Sequence, residues 1–236
     1  MDNNELLESI QNGLIVSCQA LDDEPLFGAE IMGRMALAAK MGGAVGIRAN
    51  GAQDIREIKR VTDLPTIGIV KRAYEGSEVY ITPTMREVDE VVSAGADIVA
   101  VDATNRVRPG GLMAKEFLES IRVKFPDALV MADISTFAEG LAAVAAGVDI
   151  IATTLSGYTA YSRQAVSPDF RLMRELTHKV NVPVIAEGRI GKPEEAVRSF
   201  ENGVFAVVVG SAITRPQEIT RTFVEELQTI RKIRSI

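Results

Sequence analysis

Val182-Pro-Val-Ile-Ala-Glu187-Gly188-Arg189-Ile-Gly191 is followed closely by Ala206-Val-Val-Val-Gly210-Ser211-Ala-Ile-Thr-Arg215-Pro216, and the two stretches share one design. Each opens with an apolar, β-branched run, the pattern of a strand buried on both faces. Each run stops at a glycine beside a polar residue, and a helical pattern follows. The last two strands of a (β/α)8 barrel make an anion site in this way, with N–H groups at helix starts pointing at a phosphate. The pair predicts a phosphorylated ligand, cradled by Gly188, Gly210 and Ser211. Glu187 is placed at a strand end beside it.

The same grammar recurs upstream. Apolar runs at Leu14–Gln19, Ala44–Ala49, Thr66–Lys71, Ile98–Asp102, Leu129–Asp133 and Ile150–Thr154 precede Val182–Glu187 and Ala206–Gly210. Helical patterns separate them, as at Ala29–Met41, Ala52–Val61, Arg86–Ala94, Thr136–Ala146, Pro193–Asn202 and Gln217–Ile233. Strands alternating with helices imply a parallel sheet, and eight such units favour closure. The expected fold is α/β, a (β/α)8 TIM barrel. It forms a single domain over residues 1–236, near the ~250 residues typical of such barrels.

Local signals agree. Thr82-Pro83, Ser167-Pro168 and Lys192-Pro193 read as helix caps followed by proline at the first helical position. Thr136 with Glu139 reads as a capping box. Gly95, Gly147 and Gly203 fall where helices should end in a left-handed residue. Ala94-Gly-Ala-Asp-Ile-Val-Ala-Val-Asp102, Ala146-Gly-Val-Asp-Ile-Ile-Ala-Thr153 and Asn202-Gly-Val-Phe-Ala-Val-Val-Val-Gly210 form a weak internal repeat, as tiled modules would. The segment Lys71–Ile81, with Tyr74, Gly76 and Tyr80, is longer than a minimal connection and reads as a lid or an interface element.

Composition narrows the function. Apolar residues at 47% supply a large core, and aromatics at 5% leave it to small and β-branched side chains. A net charge of −6 with no basic block argues against a nucleic-acid partner. Arg221 to Arg234 make the last helix basic, read as a solvated face. One cysteine, Cys18, excludes an internal disulfide and suits a cytoplasmic location. Residues 1–12 hold no apolar signal core, and no apolar run approaches a membrane span. One cysteine and one histidine, His178, argue against zinc, while composition leaves carboxylate-bound Mg²⁺ open. Apolar outer-helix positions suggest a homodimer.

The active site of such a barrel lies at the C-terminal ends of its strands. Those positions carry Gln19, Arg48, Lys71, Asp102, Asp133, Thr153, Thr154, Glu187 and Ser211. A lysine ending a buried strand needs a partner or a lowered pKa, and either suits a base or a Schiff-base nucleophile. The bland alternative is a lysine snorkelling at the rim, although Arg72 beside it can fill that place. Glu187 suits an acid or base, a lysine partner or a hydroxyl acceptor, against a plain ion pair. Asp133 is balanced between orienting a ligand and a structural pair, and Asp102 leans to the latter. Arg215, beside the predicted anion site, offers a guanidinium fork. Arg48 lies farther round the ring and suits a carbonyl or hydroxyl. His178 reads as surface, and Cys18 as core.

These strand ends resemble those of the N-acylglucosamine-6-phosphate 2-epimerase family, also called N-acetylmannosamine-6-phosphate 2-epimerases, of bacterial sialic acid catabolism. The resemblance spans nearly the whole chain. It rests on Leu14-Ile-Val-Ser-Cys-Gln19-Ala, Gly46-Ile-Arg48-Ala-Asn, Gly68-Ile-Val-Lys71-Arg, Ala132-Asp133-Ile-Ser-Thr, Thr153-Thr-Leu-Ser-Gly157-Tyr158-Thr and Ile185-Ala-Glu187-Gly188-Arg189. It implies interconversion of N-acetylmannosamine 6-phosphate and N-acetylglucosamine 6-phosphate, a phosphosugar as the only partner besides a second copy, and no cofactor or metal. Lys71 would remove the C2 proton with Glu187 as its catalytic partner. Gln19, Arg48 and Asp133 would bind the sugar, with Gly157 also at the substrate. Gly188, Arg189, Gly210, Ser211 and Arg215 would hold the phosphate. The net direction of the Lys71 pKa stays open, because Glu187 opposes burial and neighbouring cations. A Schiff-base lyase and a non-catalytic phosphosugar-binding barrel are the competing readings.

Overall fold

Eight parallel strands pair in sequence order, and β8 returns to β1 to close the barrel. The computed structural model describes residues 2–233; Arg234, counted in the basic run of the last helix, lies outside them. The elements are α1 (Asn3–Ile10), β1 (Leu14–Cys18), α2 (Ala29–Met41), β2 (Gly46–Asn50), α3 (Ala52–Thr62), β3 (Thr66–Ile69), α4 (Met85–Ser93), β4 (Ile98–Asp102) and α5 (Ala114–Lys124). They continue as β5 (Leu129–Asp133), α6 (Phe137–Ala145), β6 (Ile150–Ala152), α7 (Phe170–Thr177), β7 (Val184–Ala186), α8 (Pro193–Glu201), β8 (Ala206–Val209), α9 (Ser211–Thr214) and α10 (Pro216–Ile233).

Strand alternation sorts the apolar side chains into two shells. Ile15, Ile67, Ile69, Ile98, Met131, Ile150, Ile185 and Val208 fill the barrel interior. Val16, Ile47, Val99, Val101, Val130, Ile151 and Val207 face outward against the helices. Both faces of each strand are therefore buried, which is why the runs are continuously apolar.

The polar start of the chain hides a helix that the sequence reading omitted. Asp2 and Glu5 form a capping box at the start of α1. Leu6 and Ile10 then close the bottom of the interior shell. Only two apolar contacts are needed to dock so short a helix, so its periodicity is too brief to register.

Several strands stop short of their expected ends. β3 ends at Ile69, β6 at Ala152, β7 at Ala186 and β8 at Val209. Lys71, Thr154, Glu187 and Gly210 thus lie just beyond the ladder, where side chains take over the backbone. The Lys71 N–H donates to Asn50 Oδ1 at 2.8 Å, and the Glu187 N–H donates to Thr153 Oγ1 at 3.1 Å.

Two caps also move. The cap of α4 is Thr84, not Thr82, because Glu87 stands three residues on and completes a capping box. Thr82 is buried with φ 45°, and its hydroxyl donates to the Ala100 carbonyl at 2.7 Å. The cap of α7 is Asp169 rather than Ser167, since its carboxylate accepts from the Leu172 N–H at 3.1 Å. Thr136 and Lys192 cap α6 and α8 as expected. Gly95, Gly147 and Gly203 are left-handed, with φ of 86°, 86° and 83°. Segment Lys71–Ile81 folds back on itself, with antiparallel bridges joining Lys71 to Ile81 and Tyr74 to Ser77. Among the described residues no helix is long and apolar enough to cross a membrane.

Candidate active site

A cavity of about 530 Å³ opens at the strand ends, lined by Gln19, Arg48, Lys71, Glu187, Gly188, Arg189, Gly210, Ser211 and Arg215 from the sequence-derived set. Asp133 and Gly157 stand behind this wall. Ser17, Tyr80, Ile81, Thr154 and Tyr158 complete much of the rest.

The floor is a charged cluster. Arg48 points into the barrel from β2 and is 1% exposed. Its Nη1 and Nη2 donate to Asp133 Oδ1 at 3.1 Å and Oδ2 at 2.5 Å, a bidentate fork. The same Nη1 donates to Glu187 Oε2 at 2.5 Å. Thr154 Oγ1 lies 2.7 Å from Asp133 Oδ1 and 3.1 Å from Glu187 Oε2. Asp133 is fully buried and anchors Arg48. The Arg48 Nε is buried without a partner.

Burial sets the acidity of this floor. It works against the charge of Arg48, but Asp133 and Glu187 outweigh it and hold the guanidinium protonated. One cation cannot fully compensate two carboxylates. Burial therefore pushes the Glu187 carboxyl up to about 7, with Arg48 opposing and Asp133 adding to the rise.

Lys71 faces this cluster. Burial, then the cations Arg48 and Arg215, bring its pKa down to about 8 against the pull of Glu187 and Glu24. The direction left open by sequence is thus downward. Among the described residues no carboxylate lies within ion-pair distance of Lys71, so its amine is unengaged and far closer to losing its proton at neutral pH than an ordinary lysine. That is the state a proton acceptor requires.

Beside the charged floor are the glycine-ended strands. Gly188 has φ 105°, and a Cβ there would stand 3.3 Å from the Thr154 carbonyl oxygen. Only glycine fits that approach without strain. Arg215 is gripped by Glu24, with Nε at 2.8 Å from Oε1 and Nη2 at 2.9 Å from Oε2. Glu24 was not singled out by sequence; its signal is an acidic run, Asp22-Asp23-Glu24, in the loop after β1. Gln19 donates to Ser17 Oγ at 2.8 Å.

Arg189 lines the cavity and also reaches into the neighbouring loop. Its Nη1 donates to the Ser156 carbonyl at 2.5 Å and its Nε to the Ser167 carbonyl at 3.0 Å. The guanidinium also lies 5.5 Å from the Tyr158 ring centroid. It clamps the β6–α7 loop, and a Cβ on Gly157 would come within 2.0 Å of its Nη1. Gly157 is therefore the space Arg189 occupies. Among the described residues no cluster of three or more His, Cys, Asp or Glu is arranged to hold a metal ion.

A family model described as "Putative N-acetylmannosamine-6-phosphate epimerase" matches residues 32–229. The chain belongs to this family. A protein from Caldanaerobacter subterraneus subsp. tengcongensis named "Putative N-acetylmannosamine-6-phosphate 2-epimerase" is 59% identical over 220 residues, 93% of each chain. A Clostridium perfringens protein of the same name is 54% identical over 223 residues, covering 94% of this chain and all of that one. The solved structure of the N-acetylmannosamine-6-phosphate 2-epimerase from Clostridium perfringens superposes with a TM-score of 0.91 at 52% identity, over 95% of this chain and 97% of that one. The barrel and its strand-end loops are thus shared at the level of the whole domain.

Proposed function

We propose that this chain interconverts N-acetylmannosamine 6-phosphate and N-acetylglucosamine 6-phosphate by moving the proton on C2 of the open-chain sugar. Family membership supports the substrate. The observation that carries the chemistry is Lys71, a cavity lysine brought down to about 8 with no ion-pair partner.

The residues divide the work. The glycine-ended loops at Gly188 and Gly210, with Ser211 and Arg215, hold the 6-phosphate at one end of the cavity. This fixes C2 within reach of Lys71. The free amine takes the C2 proton, and the C–H electron pair moves into the C1 carbonyl to give an enolate. Glu187 in its acid form gives a hydrogen bond to the oxygen where charge develops. Arg48, locked by Asp133, supplies fixed positive charge beside it. The Lys71 ammonium, its protons exchanged with solvent, then gives one to the opposite face of C2, the enolate electrons re-form the C–H bond and the C1 carbonyl is restored, which inverts the centre.

Proton NMR of N-acetylmannosamine 6-phosphate with the protein in D₂O tests this. The expected result is the gluco epimer carrying deuterium at C2. No turnover, or product retaining protium at C2 from the first turnover onward, overturns it. A substrate-dependent borohydride adduct at Lys71 would instead favour a Schiff-base lyase.

The proposal includes a homodimer and a cytoplasmic location. Phe223, Val224 and Leu227 on α10 are exposed, and a second copy of the chain would cover them. The lone thiol, Cys18, is buried and free, which suits a reducing compartment. A monomer in light scattering at micromolar concentration would remove the dimer from this picture.

A further inference from the structure

Arg215 stands at the joint between α9 and α10 and lines the cavity beside Gly210 and Ser211. A guanidinium offers its N–H donors in a rigid, planar fork. One edge of this fork is taken: Nε lies 2.8 Å from Glu24 Oε1, and Nη2 donates to Glu24 Oε2 at 2.9 Å. Nη1 is left outside the grip, 3.4 Å from Ser211 Oγ.

Glu24 is itself held in place. The Leu21 N–H donates to its Oε2 at 2.9 Å, and Gln217 Nε2 donates to its Oε1 at 3.2 Å. The Glu24 N–H closes a turn on the Leu21 carbonyl at 2.9 Å. The carboxylate is thus tied both to the β1–α2 loop and to the first turn of α10.

We propose that Glu24 is a positioning residue: by holding the Nε–Nη2 edge of Arg215, it presents Nη1, beside the Ser211 hydroxyl, to the phosphate of the ligand.

Two effects of Glu24 run in opposite directions. As a negative charge close to an anion site, it weakens phosphate binding. As a clamp, it spares the ligand from immobilising a long side chain, which otherwise costs roughly twofold to tenfold in affinity. The pair is partly open to water, with the Glu24 side chain 16% and the Arg215 side chain 32% exposed, so salt screens the first effect. The second is conformational and survives in salt. Coulomb attraction alone therefore predicts tighter phosphate binding when Glu24 is lost, and positioning predicts weaker.

Phosphate as the ligand rests on the epimerase reading, but the test of the clamp needs binding alone. Titration calorimetry at about 0.15 M salt follows N-acetylglucosamine 6-phosphate, with inorganic phosphate as a second probe. Glu24→Ala should raise Kd by roughly threefold to tenfold. In an Arg215→Ala background the same substitution should change Kd by less than about twofold, because the side chain it acts through is gone. Glu24→Gln keeps the size and one acceptor oxygen, so it should give a smaller rise and serves if alanine disturbs the loop. In turnover the loss should fall on KM rather than kcat. An unchanged Kd overturns the proposal. A lowered Kd does too, since Glu24 would then compete with phosphate for Arg215. An equal rise with and without Arg215, or a loss in kcat alone, would reduce Glu24 to a support of its loop and overturn its positioning role. Wild-type protein that binds the phosphosugar without epimerising it would sink the epimerase reading and leave the clamp standing. Wild-type protein that binds neither probe overturns both.

Discussion

Arg48 and Arg72 each face two carboxylates, and the carboxylates respond in opposite ways. Arg48 pairs with Asp133 and Glu187 inside the barrel. Arg72, next to Lys71 in sequence, pairs with Glu87 and Glu90 outside it. Glu187 rises to about 7. Glu87 is fully buried, yet it stays below its ordinary value. Burial pushes it up, but bonds from Thr84, Tyr74 and Arg72 pull it down further. The Thr84 N–H and Oγ1 donate at 2.9 and 2.5 Å, and the Tyr74 hydroxyl donates at 2.9 Å. Glu187 shares its arginine with Asp133, and its other side-chain donor is the Thr154 hydroxyl at 3.1 Å, itself shared with Asp133. The count of donors per carboxylate, rather than the presence of an arginine, separates a helix cap from a reactive acid.

The sharpest way to break this contrast is Lys71→Ala. It should lower kcat by about 10²–10⁴-fold and abolish C2 hydrogen exchange, while titration calorimetry still detects substrate binding. Retained exchange would remove Lys71 from the chemistry. Glu187→Gln should cost roughly tenfold to a hundredfold in kcat. It also removes the negative charge that raises Lys71, so the pKa of Lys71 should fall below about 8.

The wild-type rate should peak between about 7 and about 8 and fall on either side, because it needs the Lys71 amine free and Glu187 in its acid form. A rate that keeps climbing well above about 8 would remove the acid role of Glu187. Arg215→Ala should raise KM about tenfold through loss of a charge-assisted contact. It should also raise the Lys71 pKa, since Arg215 is one of the cations lowering it. Steady-state kinetics against pH read both effects.

Arg72→Met should show the smallest catalytic effect. We expect kcat to stay within about twofold, with chemical denaturation registering a stability loss of about 1–3 kcal/mol from a buried Glu87 short of one donor. A large kcat loss there would erase the distinction between the two clusters.

Much of this was written in the sequence because barrels repeat a local rule. Continuous β-branched runs, helix-ending glycines and strand-end polar residues are set within a few neighbours, so the fold, Lys71, Glu187 and the glycine-ended pair were legible. The caps at Thr82 and Ser167 were misplaced because a better box or a carboxylate lay two residues on. α1 went unread because two buried side chains make no period. Tertiary structure alone decided which groups share a charge. Arg48 and Asp133 lie on β2 and β5, Thr154 and Glu187 just beyond β6 and β7, and their distances depend on closure. The hold of Arg189 on the β6–α7 loop, through the Ser156 and Ser167 carbonyls, appears only in the folded chain. Lys71 had opposing influences that sequence could name but not weigh. Burial and distance decide the sign of that sum, and both exist only once the barrel has closed.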